Sequence, residues 1–186
     1  MSRSKPTRRT KKADILFIVD IVNIDQSILL FLKDKIEDLA FDFRTSQRTF
    51  LFRYGCIFYR ASNSDNEKVF DFNEEIEELC SFLEVIQIND KSTEKISYVK
   101  QLNKAFNLSW NDGKKIIIWI ANKPSDDTKQ DMIESFGRLA RDDYFLLVLN
   151  ISGHLNKSFE EIRNIFKARK NEVSKILTNF ILFMKF

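Results

Sequence analysis

The apolar positions of this chain change period several times, and each change marks an element. Residues 13–25, ADILFIVDIVNID, are a nearly continuous apolar run closed by an acidic, polar turn. A run this dense in Ile, Leu, Phe and Val predicts a strand over 14–20, buried on both faces. From 26 to about 44 the period becomes helical. Ile28, Leu32, Ile36, Leu39 and Phe43 recur at three and four, while Lys33, Asp34, Lys35, Glu37, Asp38 and Asp42 face away. Asn23 or Asp25 is placed to cap that helix.

Residues 48–60, RTFLFRYGCIFYR, are aromatic and partly alternating, which predicts a second strand. The polar turn 61–67 leads into KVFDF at 68–72, so 48–72 reads as a hairpin. Asn73 is the expected cap of a helix carrying Ile76, Leu79, Cys80 and Leu83 on one face. A further helix is expected over 93–110, with Tyr98, Leu102, Ala105 and Phe106 inward, ended by Asn111-Asp112-Gly113. The run KKIIIWIA at 114–121 is the expected neighbour of the first strand. After it comes the loop 122–127. Asp127 and Gln130 have capping-box spacing for the helix bearing Met132, Ile133, Phe136, Leu139 and Ala140. Residues 144–151 are expected as a third central strand. Ser158 and Glu161 open another helix through Phe166, and 172–186 reads as a last helix packed on the sheet.

Apolar strands separated by helices predict an α/β fold. It is doubly wound, with a mostly parallel central sheet, one antiparallel edge strand and helices on both faces. At 186 residues a single domain over 13–186 is expected. With only 4 Gly and 2 Pro, there is little material for a turn-rich all-β fold. The 18 Phe reflect compositional bias rather than a site. Residues 1–12 contain Arg3, Lys5, Arg8, Arg9, Lys11 and Lys12 and no acid, which predicts a disordered basic arm. Its chemistry suits nucleic acid, an acidic protein surface or nuclear import. The formal net charge is +3, so without the arm the body is slightly acidic and is not itself a nucleic-acid surface.

Two cysteines, Cys56 and Cys80, on apolar strand and helix positions read as buried thiols. With one histidine, His154, in a loop, neither a zinc site nor a Ser-His-Asp or Cys-His set is available. No apolar run reaches the roughly 18 residues of a spanning helix. There is no secretory segment near the start, and an intracellular location, cytoplasmic or nuclear, is expected. The glycines Gly55, Gly113, Gly137 and Gly153 stand alone, so no phosphate-binding loop is present. Trp110 and Trp119 read as core.

Four strings, DILFIVD at 14–20, VFDF at 69–72, LNKAFNLSW at 102–110 and IIIWIA at 116–121, together resemble a von Willebrand factor A domain. The subtype they are most like is the one associated with alpha-type protein kinases. The resemblance spans about residues 13–170, and it implies a divalent cation at the carboxyl ends of the strands, held by an Asp-x-Ser/Thr-x-Ser turn, a later Thr or Asp, and an Asp after the fourth strand. Asp20 matches the first carboxylate. The hydroxyl positions are Val22 and Ile24, the later-loop position falls near Thr93, and the last Asp is Asn122. Mg²⁺ demands near-ideal oxygen geometry, so Asp20, Thr93 and Asn122 are expected to mark a vestigial site, with no cofactor.

The expected function is therefore a non-catalytic protein-binding module, not an enzyme, whose partner meets loops carrying Asn23, Asp25, Ser125 and Asp126. Two alternatives stay open. One is a scaffold subunit of a nucleic-acid-associated complex that uses the basic arm. The other is a remnant of an alpha-kinase-associated regulatory protein.

Overall fold

The computed structural model describes residues 11–47, 49–60, 67–87 and 95–151. Nine elements follow in the order β1 (Lys11–Asp20), α1 (Gln26–Ser46), β2 (Phe50–Tyr59), β3 (Lys68–Asn73), α2 (Ile76–Glu84), α3 (Tyr98–Phe106), β4 (Lys114–Ala121), α4 (Lys129–Arg141) and β5 (Tyr144–Asn150). They build one five-stranded sheet in the order β3-β2-β1-β4-β5. β1 pairs in parallel with both β2 and β4, as in Ile15 opposite Tyr54 and Ile116. β5 is parallel to β4, and β3 is the antiparallel edge strand of the predicted hairpin.

The dense apolar run is thus the middle strand, and its side chains divide by parity. Ala13, Ile15, Phe17 and Val19 enter one core with Leu29, Leu32 and Ile36 of α1 and Leu79 and Leu83 of α2. Leu16 and Ile18 enter the other with Leu102 and Ala105 of α3 and Met132, Phe136 and Leu139 of α4. Many phenylalanines belong to the first core, where Phe50, Phe52 and Tyr54 stack along β2 and Phe82 meets Phe58 and Phe70. The second core is centred on Trp119, ringed by Tyr59, Tyr98 and Phe136. Cys56 is buried and Cys80 half-buried, both as free thiols.

Several boundaries differ from the pattern. β1 begins at Lys11, so Lys11 and Lys12 are strand residues rather than arm. The ladder needs only backbone, and Lys11 N–H donates to the Thr49 carbonyl at 3.1 Å. Asn73 ends β3 and accepts from Glu75 N–H at 2.9 Å, so it closes the turn before α2 instead of capping the helix. α3 starts at Tyr98 with Ser97 as its cap. α4 is capped by Thr128, which accepts from Asp131 N–H, and not by Asp127. β5 lies at the end of the strand order among the described residues, not in the middle, because each helical crossover after β4 adds outward. Arg3, Lys5, Arg8, Arg9, Thr93, His154 and the helices expected after Ser158 and over 172–186 lie outside the described residues.

One polar cluster closes the amino-terminal end of the sheet. The Asp14 carboxylate is fully buried and receives Arg53 Nε at 3.0 Å and Nη2 at 2.9 Å in a two-pronged pair. It also receives the Asn111 N–H at 2.5 Å. Arg53 donates onward to the Ser109 carbonyl at 2.5 Å and lies over the Phe72 ring. Trp110 packs on Phe72 and donates its indole N–H to the Ala105 carbonyl at 2.6 Å. The Leu-Ser-Trp string is therefore the latch between α3 and β4. Gly113 follows because a side chain there would collide with the Lys12 carbonyl. Asp14→Ala strands Arg53 and the Asn111 N–H, and urea unfolding is expected to register a loss of about 3 kcal/mol. Adding Arg53→Met is expected to cost less than the sum of the two single changes.

Candidate functional site

The strand order reverses between β1 and β4. The next strand after β1 is laid to one side and the next after β4 to the other, which opens a crevice beyond their carboxyl ends. Asp20 is the last residue of β1, and Asn122 follows the last residue of β4. Topology brings these two predicted residues together across 102 positions of sequence.

Asp20 is fully buried, and both of its oxygens are engaged by backbone. Oδ1 accepts from Val22 N–H at 2.9 Å, and Oδ2 accepts from Asn122 N–H at 3.2 Å and Lys123 N–H at 3.0 Å. The Asn122 side-chain amide returns across the gap and donates to the Val22 carbonyl at 2.5 Å. The turn after β1 and the loop after β4 are thereby tied together. Val22 and Ile24, at the positions where the resemblance calls for hydroxyls, are buried apolar side chains. Burial outweighs the three N–H donors and raises the Asp20 carboxyl from 3.8 to about 6. Tyr59 and Tyr98 pack close enough to feel the Asp20 charge, and burial pushes both phenols well up.

The four predicted contact residues are placed unequally. Asn23 is exposed with φ 55°, a left-handed turn residue. Asp25 caps α1 by accepting from Ile28 N–H at 2.9 Å. Its carboxyl is held low by the Ser27 hydroxyl and then by that N–H. Ser125 and Asp126 belong to a clasp on the start of α3. Asp126 accepts from Ile96 N–H at 2.7 Å and returns its own N–H to the Ile96 carbonyl at 2.8 Å. Ser125 accepts from Tyr98 N–H at 3.2 Å.

Asp127 completes the clasp, and the sequence pattern misassigns it. Its carboxylate accepts from the hydroxyls of Ser97 and Ser125, each at 2.6 Å, and from Val99 N–H at 2.9 Å. That places a negative charge at the amino end of α3, where helix dipoles favour it. The Tyr98 hydroxyl donates to the Lys123 carbonyl at 2.5 Å. Ser97 itself caps α3 by accepting from Lys100 N–H at 3.0 Å. The pairing of Ser97 with Asp127 is long-range and has no local mark. Lys11 and Lys12 stand at the opposite end of β1, about 30 Å from Asp20 at strand rise. Among the described residues, no three His, Cys, Asp or Glu side chains are grouped to hold a metal. Nor is any helix among them long and apolar enough to cross a membrane.

A five-stranded, mostly parallel sheet with an acidic strand end at its switch point defines a von Willebrand factor A-like fold. Solved structures share it. The VWA domain of SpRpn10 superposes with a TM-score of 0.62 at 9% identity, over 86% of this chain and 82% of that one. The conserved hypothetical protein BatB from Bacteroides thetaiotaomicron gives 0.61 at 15% identity, over 83% and 87%. Proximal thread matrix protein 1 from the mussel byssus gives 0.61 at 12% identity, over 91% of this chain and 45% of that one. No family model matches the sequence, and no curated protein does.

Asp20 sets a pH dependence of definite sign. Its native carboxyl titrates near 6 against 3.8 when unfolded, so the native state binds the extra proton between those values. The stability this confers is full below about pH 4 and is lost as pH rises through 6. Relative to Asp20→Asn, wild-type stability from urea unfolding is expected to fall by about 2–3 kcal/mol between pH 4 and 7.

Proposed function

We propose that this chain is a non-catalytic protein-interaction module of the A-domain type, whose partner meets the loops at the carboxyl ends of β1 and β4. In this reading the divalent-cation site of such domains has been lost, and its first carboxylate has become an internal tie. One observation carries this. Both Asp20 oxygens already accept backbone N–H groups, and Asn122 turns its amide nitrogen onto the Val22 carbonyl. Mg²⁺ needs a near-octahedral set of oxygens. Here one engaged carboxylate faces two buried aliphatic residues, Val22 and Ile24, and the donor set does not fit the ion. No step of the proposed function passes through a metal.

What remains at this end is a pair of loops held rigid by the Asp20 tie and the Asp127 clasp. Rigid loops lose little entropy on binding, which suits a recognition surface. Asn23, Asp25 and Pro124 are exposed on them. The likeness to the alpha-kinase-associated subtype rests most on the 102–110 string. Ser109 and Trp110 of that string serve the latch at the far end of the sheet, so it adds no activity to this reading. Lys11 and Lys12 stand at the opposite end of β1 from these loops.

The test is capture of partners by the full chain from its own cells, with and without nuclease. A set of proteins retained after nuclease and in about 0.5 M salt, where phosphate contacts are suppressed, is expected. Pro124→Glu is expected to abolish that capture without moving the urea midpoint. Loss of every partner on nuclease treatment would overturn the reading in favour of the arm. Addition of about 10 mM Mg²⁺ is expected to leave the melting temperature unchanged; a rise would show a cation site that binds the native state.

A further inference from the structure

Net charge is a sum, whereas the local potential depends on where the charges sit. The fold separates them. α1 and α2 carry mostly acids, among them Asp34, Glu37, Glu77 and Glu78. The amino-terminal end of the sheet is the reverse. β1 opens with Lys11 and Lys12, and β4 opens with Lys114 and Lys115. These strands are neighbours, and the parallel register sets Ala13 opposite Lys114. Paired strands lie about 4.8 Å apart, so both lysine pairs stand at one sheet end. Gly113 lets the backbone at Lys12 lie against the chain that enters β4. Lys11, Lys12 and Lys114 are exposed, and Lys115 is half-buried.

Three of the four ammonium groups are held over aromatic rings. Lys11 Nζ lies 5.6 Å from the centre of Phe50, Lys114 Nζ 5.2 Å from Phe145, and Lys115 Nζ 5.0 Å from Tyr144. A ring face attracts a cation without cancelling its charge. The lysines are thereby placed in advance, and less side-chain freedom is lost when an anion binds. Of the acids at this end, Asp14 is matched by Arg53, and Asp142 faces Arg138. Exposed Asp112 and Asp143 are outnumbered by the lysines and by exposed Arg141. Ahead of Lys11 in the sequence stand Arg3, Lys5, Arg8 and Arg9.

The chemistry of the patch selects its partner. Ammonium groups act as point charges that suit phosphate, whereas a carboxylate is matched best by a guanidinium fork. A DNA duplex carries one phosphate per roughly 1.7 Å of axis, so several lysines can be met at once. Single-strand sites stack bases on open aromatic faces. Here lysines already lie over the rings. Leu51, opposite Lys12 in the ladder, is a single exposed apolar residue, too little for an anchor in a bilayer. We infer that this end of the sheet is a contact surface for the phosphate backbone of duplex DNA. Lys11, Lys12, Lys114 and Lys115 meet phosphates there and read no base sequence. The surface lies at the opposite end of β1 from the Asp20 loops and does not rest on the protein-interaction reading.

The experiment is fluorescence anisotropy of a labelled, mixed-sequence DNA duplex of about two helical turns, titrated with the full chain at several salt concentrations. Saturable binding that weakens steeply with salt is expected. Lys11→Gln, Lys12→Gln, Lys114→Gln and Lys115→Gln combined are expected to lower affinity by roughly tenfold or more. They are also expected to flatten the slope of log K against log salt by about 3–4, since each phosphate contact contributes about 0.9. An unmoved urea midpoint separates lost contact from lost fold. Should the combined variant not fold, Lys12→Gln and Lys114→Gln are measured singly, and each is expected to flatten the slope by about one. Arg at the same four positions keeps the charge and is expected to keep the affinity. Absence of saturable binding at about 0.05 M salt would overturn the inference. So would an unchanged slope in the Gln variants with loss only on Arg8→Gln and Arg9→Gln, which assigns the binding to the arm. Tighter binding of a single strand of the same length would also overturn it, as would equal competition by polyglutamate or by phosphatidylserine vesicles at matched charge. Because the titration uses purified chain and DNA, its failure leaves capture through the Pro124 loop standing, and failure of that capture leaves duplex binding standing.

Discussion

The structure depends on one strand being buried on both faces. β1 pairs in parallel on either side and sends alternate side chains into two separate cores. A strand so enclosed has no solvent face on which to place polar groups. The two carboxylates it does carry, Asp14 and Asp20, are both fully buried and must be satisfied by the surrounding chain. Each therefore gathers distant segments. Asp14 draws in Arg53 and Asn111, and Asp20 draws in Asn122 and Lys123. The two ends of the molecule are organised by these needs.

The two carboxylates solve the same problem with different chemistry. Asp14 is matched by a guanidinium, so its charge is balanced where it sits. Asp20 has only N–H dipoles and the more distant Lys123, and burial keeps its carboxyl near 6. The resemblance to an A domain led to the expectation of a cation beside the carboxylate at this strand end. Here it meets three backbone donors. Arg60 is a buried residue of the opposite sign, and its Nε–H has no acceptor among the described residues.

Much of this was legible from residue order. The strand at 14–20, the amphipathic helix after it, the hairpin and the apolar run at 114–121 follow from hydrophobic period alone, because that period reports which faces are buried. The vWA-like fold followed from the alternation of those elements with several short strings. Cap positions were less legible. Ser97 and Thr128 cap where the pattern puts Thr93 and Asp127 at the helix starts, since several Ser, Thr and Asp residues stand at each boundary and local sequence does not rank them. The strand β5 looked central because it is apolar, yet it ends the described order.

By itself, the sequence determined which of the described segments are strands and helices and that Asp20 ends a doubly buried strand. Local period and strand-end position carry that information. Only the tertiary structure decided what those residues do. The tie from Asp20 to Asn122 and Lys123 and the transfer of Asp127 to the start of α3 arise from contacts between segments far apart in the chain. Such contacts depend on how crossovers stack around the sheet, and no spacing within one segment encodes them.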